Sequence, residues 1–308
     1  MDRVSTAGNY SAILANLMAA ENRQVNAENR VSSMKNGNSL KDYANQAETL
    51  TAMKTVDRRL TSYQDGNSAI AAKLTTQDNA LNGAANSAQA VRQAITDALA
   101  NDNADSLMQV VQGQFQTAVS SLNAQYDGKY LFAGGKITSQ PVTATQLSDL
   151  TTGPPISSFF QNDNFKVQAK LDDSTTVTTG QLASDLGTNM MTSFQALQAF
   201  NQGASGPLTG PLTAAQRTFL EGQLSSWDTI RTDLTTATAQ NGLVQKQVDT
   251  VATSLVAQQN TLTGLIGNIT DADMAKAATD LSSAQLSVQA TAQVLQVMQG
   301  SSLLNLLK

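Results

Sequence analysis

Apolar residues recur at alternating spacings of four and three along several segments of the chain. The clearest run lies in the first half of the sequence and comprises Ile70, Leu74, Gln77, Leu81, Ala84, Ala88, Val91, Ile95, Ala98 and Leu99. This spacing keeps one stripe of side chains on one face of a helix. At 1.5 Å per residue, the run predicts a helix of roughly 45 Å.

Two further runs repeat this spacing. One continues beyond a break at Asn101-Asp102-Asn103 and comprises Leu107, Val111, Phe115, Ala118, Leu122 and Tyr126. The other lies far downstream and comprises Val244, Val248, Val251, Leu255, Gln258, Leu262, Leu265 and Ile269. Because a helix with a narrow apolar stripe is unstable alone in water, we expect the long helices to pack lengthwise on one another. The N- and C-terminal halves of the chain should therefore meet.

The two ends of the chain carry weaker stripes, and the C-terminal one is widened by an offset face of Leu286, Val294 and Val297. Helices with two apolar faces need more than one neighbour, so we expect the ends to fold on assembly. The predicted assembly interface comprises Leu14, Leu17, Val25, Val31, Leu281, Val288, Leu295, Met298, Leu303, Leu304 and Leu307.

The character of the sequence changes between about residues 134 and 214. All five prolines of the chain fall there. Alternation of Phe165, Val167, Ala169 and Leu171 predicts strands, and residues 190–200 predict a short helix. We therefore expect a mainly α fold in which the N- and C-terminal segments form a long antiparallel coiled-coil rod with a small, separate β-containing insertion domain. The predicted division is an assembly helix (1–36), rod helices (37–133), the insertion (134–213), rod helices (214–269) and a second assembly helix (270–308).

Composition removes most enzyme classes. The 308 residues include no histidine and no cysteine, so the usual general base, the commonest transition-metal ligand and any thiol nucleophile are missing. Only 14% of the residues are charged, and the net charge is −5. A surface of this kind disfavours nucleic acid as a partner, and no apolar run approaches the roughly 20 residues that span a bilayer. An apolar stretch near the N-terminus faintly resembles a secretory signal, but Asn16 interrupts it, so we expect no cleavage.

A few residue clusters could carry chemistry, but each has a simpler interpretation. Asp271 and Asp273 could form a carboxylate pair, yet a helix cap is favoured. The Asn101–Asp105 stretch lacks the glycine and the later glutamate of a calcium loop, which favours a turn between helices. Gly134-Gly135 lacks a phosphate-loop pattern, and Trp227 fits the apolar register of a core. We therefore predict no catalytic residue, no metal and no cofactor.

Motifs near both ends resemble those of bacterial flagellins and their junction relatives. The N-terminal motifs are Arg3-Val4-Ser5-Thr6, Arg30-Val31-Ser32-Ser33-Met34-Lys35-Asn36-Gly37 and Asn38-Ser39-Leu40-Lys41-Asp42-Tyr43-Ala44. Only Asp42 and Ala44 fit the family's "Asp-Asp-x-Ala" stretch, which indicates a divergent branch. The C-terminal motifs are Ile269-Thr270-Asp271-Ala272-Asp273-Met274-Ala275, then Leu281, Gln285, Gln289-Ala290 and a closing Leu-rich tail.

Two further motifs favour one branch of this family. Tyr130-Leu131-Phe132-Ala133-Gly134-Gly135 and the final Met298-Gln299-Gly300-Ser301-Ser302-Leu303 resemble those of hook–filament junction proteins of the hook-associated protein 3 type. The resemblance implies an extracellular structural subunit that is exported unfolded through the flagellar type III channel. It also implies partners: copies of itself, other flagellar axial proteins and an export chaperone, with no membrane insertion. The absence of cysteine suits such a chain.

Three alternatives stay open from the sequence. The chain could be a flagellin that forms the filament itself, since some short flagellins carry similar motifs. A secreted translocator or adhesin of a non-flagellar type III system could share the composition and the long helices. An enzyme could be seated in the segment between residues 134 and 214, although that segment contains neither histidine nor cysteine.

Overall fold

The computed structural model describes residues 2–304 of the chain, with side chains described from residue 8 to residue 299. Helices dominate. They are α1 (Asp2–Ser33), α2 (Ala47–Asn101), α3 (Leu107–Leu122), α4 (Asp149–Thr152), α5 (Ala183–Gln202), α6 (Ala214–Thr270) and α7 (Met274–Leu304). Two antiparallel pairs of short strands complete the fold: β1 (Gln125–Tyr126) with β2 (Lys129–Tyr130), and β3 (Gln168–Lys170) with β4 (Thr176–Thr178). The predicted fold class is confirmed.

The chain divides into two compact units. One contains the residues up to Thr61 together with those from Ala257 onward, and the other is Ser62–Val256. In the second unit, α2 and α6 run antiparallel. In α2, the backbone oxygen of Leu74 accepts a hydrogen bond from Asn241 Nδ2 of α6 at 2.9 Å. Further along α2, Arg92 pairs with Asp228, which precedes Asn241 in α6. The contacts thus advance along α2 while they move back along α6. The two halves of the chain therefore meet, as their stripes predicted.

The second unit has one large hydrophobic core that joins α2, α3, α5 and α6. The stripe on α3 is buried as predicted, and Trp227 of α6 is fully buried. Its indole ring meets the edge of Phe194 at a centroid distance of 4.9 Å, and Phe194 meets Phe115 of α3 at 5.4 Å. The core interpretation of Trp227 is confirmed, because its ring packs among other aromatic rings inside the protein.

The β-containing insertion is present, but its apolar side chains do not form a core of their own. Val142, Leu150, Met190 and Phe194, all within this segment, belong to the same hydrophobic core as the long helices. Prolines interrupt regular structure without removing apolar side chains, and those side chains still bury against the nearest apolar surface. The segment also contains a longer helix than predicted, since α5 covers Ala183–Gln202.

One local prediction was right in part and another was wrong. A strand is present within residues 165–171 as predicted, but it covers only Gln168–Lys170, and Phe165 is 61% exposed outside it. Tyr126 does not continue the helical stripe of α3, because the helix ends at Leu122 and Tyr126 lies in β1. The chain reverses at Asp127 and Gly128, which have φ angles of 51° and 69°; a helix cannot pass through such left-handed residues.

Candidate assembly interface

The terminal helices α1 and α7 pair along their length in antiparallel orientation. Arg30 near the end of α1 lies 3.4 Å from Asp280 near the start of α7, whereas Tyr10 near the start of α1 lies within hydrogen-bonding distance, 3.4 Å, of Gln299 near the end of α7. The most buried positions of the pair are small residues, namely Ala20, Ala27, Ala277 and Ala284. Alanines let two helices approach closely while they bury little area, so this pair is held by a narrow seam.

The predicted interface residues divide into two groups around this seam. Leu17, Val31, Leu281, Val288, Leu295 and Met298 are half-buried. Leu14 and Val25 are 42% and 53% exposed. Leu303 and Leu304 lie in α7, but their side chains are outside the described ones, and Leu307 lies outside the described residues.

Each terminal helix also presents an apolar face to solvent. On α1 this face comprises Tyr10, Leu14, Met18 and Val25, which are 41%, 42%, 59% and 53% exposed. At 100° per residue, it lies on average about 135° around the helix from the alanine seam. On α7 the face comprises Leu286, Val294 and Val297, which are 67%, 50% and 71% exposed. We call these seven residues the outer apolar face.

The predicted interface follows the main stripe of α7, whose members Leu281, Val288 and Leu295 are half-buried. The offset stripe of Leu286, Val294 and Val297 lies outside that prediction and is more exposed, as is Met18 of α1.

A compact joint connects α1 to α2 and α6 to α7 within the first unit. Lys35 and Asp271 form an antiparallel β-bridge. On either side of it, Asn36 N donates to Thr270 O at 2.7 Å, and Ala272 N donates to Met34 O at 2.9 Å. Lys35 Nζ also donates to the Asp271 carboxylate. The two chain segments that interrupt the long helices are thus tied to each other by backbone hydrogen bonds.

The loop that follows α1 is held by its own side chains. Tyr43 Oη donates to Gly37 O at 2.8 Å and accepts from Gly37 N at 3.0 Å. Asp42 Oδ2 accepts hydrogen bonds from the backbone N–H groups of Ser39 and Asn38, each at 2.9 Å. Both hydrogen bonds lower the pKa of Asp42, and the bond from Ser39 has the larger effect. The loop is therefore fixed at the point where α1 ends.

The two carboxylates singled out by the sequence have separate structural roles in this joint. Asp273 Oδ1 accepts from Lys276 N at 3.1 Å at the start of α7, which confirms the helix-cap interpretation. The Asp271 carboxylate has a lowered pKa because it accepts hydrogen bonds from Lys35 and then from Thr270. Among the described side chains, those of residues 8–299, no group of three or more acidic residues is placed to hold a metal ion.

The remaining candidate clusters are also structural. Asn101–Asp105 forms the turn between α2 and α3, as predicted, and Asp102 in this turn pairs with Arg217 at 2.6 Å. Gly135 lies in a loop in which its N–H donates to Asp163 Oδ1 at 2.8 Å, so that amide is occupied by a carboxylate of the protein itself. In the described part of the chain, no helix is both long enough and apolar enough to cross a membrane.

Comparison with known proteins agrees with this architecture. Residues 224–307 match the family model described as the bacterial flagellin C-terminal helical region. No curated protein matches the sequence. The C-terminal part of the chain is therefore similar to the C-terminal helical region of bacterial flagellins.

Two solved structures show which flagellar proteins share this fold. A putative flagellar hook-associated protein from Vibrio parahaemolyticus is 14% identical, with a TM-score of 0.61 over 75% of this chain and 100% of that chain. FlgL from Bacillus cereus is 16% identical, with a TM-score of 0.54 over 71% of this chain and 99% of that chain. The fold of this chain is thus similar to the folds of these two proteins.

Proposed function

We propose that this chain is a structural subunit of the bacterial flagellum that assembles through α1 and α7 and forms the junction between hook and filament. The observation that carries the proposal is the outer apolar face, which leaves seven large apolar side chains exposed on a helix pair whose second member, α7, lies in the flagellin-like region. Complete burial of one such side chain contributes about 1.5–3 kcal/mol. Burial of the whole face against neighbouring subunits would therefore supply a large driving force for assembly.

The interface that we propose contains the outer apolar face and the leucine-rich end of the chain. All residues of the predicted set stay predictions: Leu14 and Val25 belong to the outer apolar face. The half-buried members are Leu17, Val31, Leu281, Val288, Leu295 and Met298, and the end of the chain adds Leu303, Leu304 and Leu307. The partners proposed are copies of this chain, other flagellar axial proteins and an export chaperone. We further propose an extracellular location reached without cleavage of a signal peptide, and a structural rather than a catalytic role.

The junction is favoured over the filament by the motifs at residues 130–135 and 298–303 and by the hook-associated fold. A filament flagellin is the second candidate, because the matched family model is the flagellin C-terminal helical region. The two candidates differ in where the subunit lies along the flagellum and in how many copies are incorporated.

Site-specific labelling separates the two candidates. The chain contains no cysteine, so the substitution Ser139→Cys at an exposed loop position provides a single attachment point for a maleimide dye. The junction function predicts one fluorescent band between hook and filament on each flagellum of labelled cells. Signal along the whole filament would establish the filament function instead. Wild-type cells treated with the same dye are the control for labelling of other proteins.

A further inference from the structure

A cleft in the second unit is lined by amide side chains that the assembly function does not use. Its volume is about 280 Å³, and its walls come from α2, from the segment that joins β4 to α5, and from α6. Gln77, Gln181 and Asn241 all line it. Gln77 and Asn241 are each only 1% exposed, so they are buried polar residues in helices that otherwise bury apolar ones.

The nitrogen atoms of two of these amides are already used. Asn241 Nδ2 donates to Leu74 O at 2.9 Å, and Gln181 Nε2 donates to Ala237 O at 3.1 Å. By contrast, the side-chain oxygens of Gln77, Gln181 and Asn241 are buried and have no hydrogen-bond partner among the described residues. A buried acceptor without a donor costs free energy. The cleft therefore contains three buried acceptors that a ligand with N–H or O–H groups could satisfy.

We propose that this cleft binds a primary ammonium group on an aliphatic stem. An ammonium group has three N–H donors and no acceptor, which matches three amide oxygens. The terminal torsions of Asn and Gln are broad, so small rotations can turn the oxygens towards a bound cation. Leu74, Leu182 and Val244 also line the cleft and provide apolar surface for the stem.

The charges beside the cleft are compatible with a cation. Lys166 and Asp185 both line it, and they pair with each other at 3.0 Å. The carboxylate of Asp185 compensates the charge of Lys166. Among the lining residues, no unpaired positive charge therefore repels a bound cation. The ammonium group can come from a free alkylamine or from a lysine side chain of another protein chain, since both present the same group on the same kind of stem.

The test compares two cations that have the same charge and the same stem, of which the second has no N–H donor and a bulkier head group. The full chain is titrated with n-butylammonium and with n-butyltrimethylammonium, which has the same charge and stem but no N–H group. The side-chain amide signals of Gln77, Gln181 and Asn241 are followed by NMR. We expect saturable shifts with n-butylammonium alone. Equal shifts with both cations, or none with either, would overturn the proposal and leave water as the donor in the cleft.

A pair of variants tests the location. Gln77→Met keeps the length of the side chain and removes the acceptor, and we expect it to weaken n-butylammonium binding about tenfold. Gln89→Met, at an exposed position of the same helix outside this cleft, should leave binding unchanged. Equal affinity of both variants would refute the assigned site. An Nα-acetyl-lysine amide identifies the source: tighter binding than n-butylammonium indicates a lysine of a partner chain, and weaker binding indicates a free amine.

Discussion

Replacement of Phe194 by alanine tests whether the insertion and the long helices share one core. Phe194 is fully buried between Phe115 and Trp227, with ring centroids 5.4 and 4.9 Å away. Removal of a buried phenylalanine ring typically costs about 3–5 kcal/mol of folding free energy, and this range includes the loss of its edge-to-face contacts. Since domains are commonly stable by about 5–15 kcal/mol, this single change should remove a large share of the total.

The chain supplies its own reporter for this measurement. Trp227 is the only tryptophan, and its ring contacts Phe194 directly, so its fluorescence reports on this part of the core during unfolding in urea. With a denaturant dependence of about 2–3 kcal/mol per molar, Phe194→Ala should lower the midpoint by about 1–2 M. The emission of the folded variant should also change, because the ring loses a neighbour.

Phe165→Ala is the matched control for this experiment. It removes the same ring from the same segment, but Phe165 is 61% exposed, so we expect a change within about 0.5 kcal/mol. An insertion that folded as a separate unit would give a different result. In that case Phe194→Ala would leave both the emission and the unfolding midpoint of Trp227 unchanged, and the shared core would be refuted.

Three further predictions concern the first unit. Leu286→Ser, at a 67% exposed position, should leave the folded monomer as stable as the wild type but raise the protein concentration needed for assembly about tenfold, measured by sedimentation; an unchanged threshold would remove Leu286 from the interface. Deletion of residues 281–308 should leave a helical protein by circular dichroism that no longer enters flagella, and normal incorporation would contradict assembly through α7. Asp271→Asn should speed hydrogen exchange at Asn36 and Ala272 at neutral pH. Folding lowers the pKa of Asp271, so the contribution of its carboxylate to stability is complete above the ordinary carboxyl pKa and is lost as the pH falls through the lowered value. The difference in exchange rate between the variant and the wild type should therefore vanish in acid. A difference that persists in acid would exclude the ion pair as its cause.

The interpretation of individual residues depended on how local their surroundings are. The cap at Asp273 and the turn at Asn101–Asp105 were predictable, because each involves hydrogen bonds within a few residues. The bridge between Lys35 and Asp271 was not, since its partners lie more than two hundred residues apart and neither has a motif that specifies the other. Likewise, the ammonium cleft combines residues of three distant segments, and single buried amides in a stripe give no sign of a shared cavity.

By itself, the sequence determined the long helices and their antiparallel pairing, because an apolar stripe of helical period has few ways to leave water. Only the tertiary structure decided which stripe of α7 borders α1 and which remains exposed, and that the proline-rich segment joins the main core. Hydrophobic burial is non-directional, so a pattern of apolar residues shows that they will be covered without showing by what. The neighbour of each face depends on the spatial arrangement of the whole chain and, for the outer apolar face, on the subunits with which we propose that it assembles.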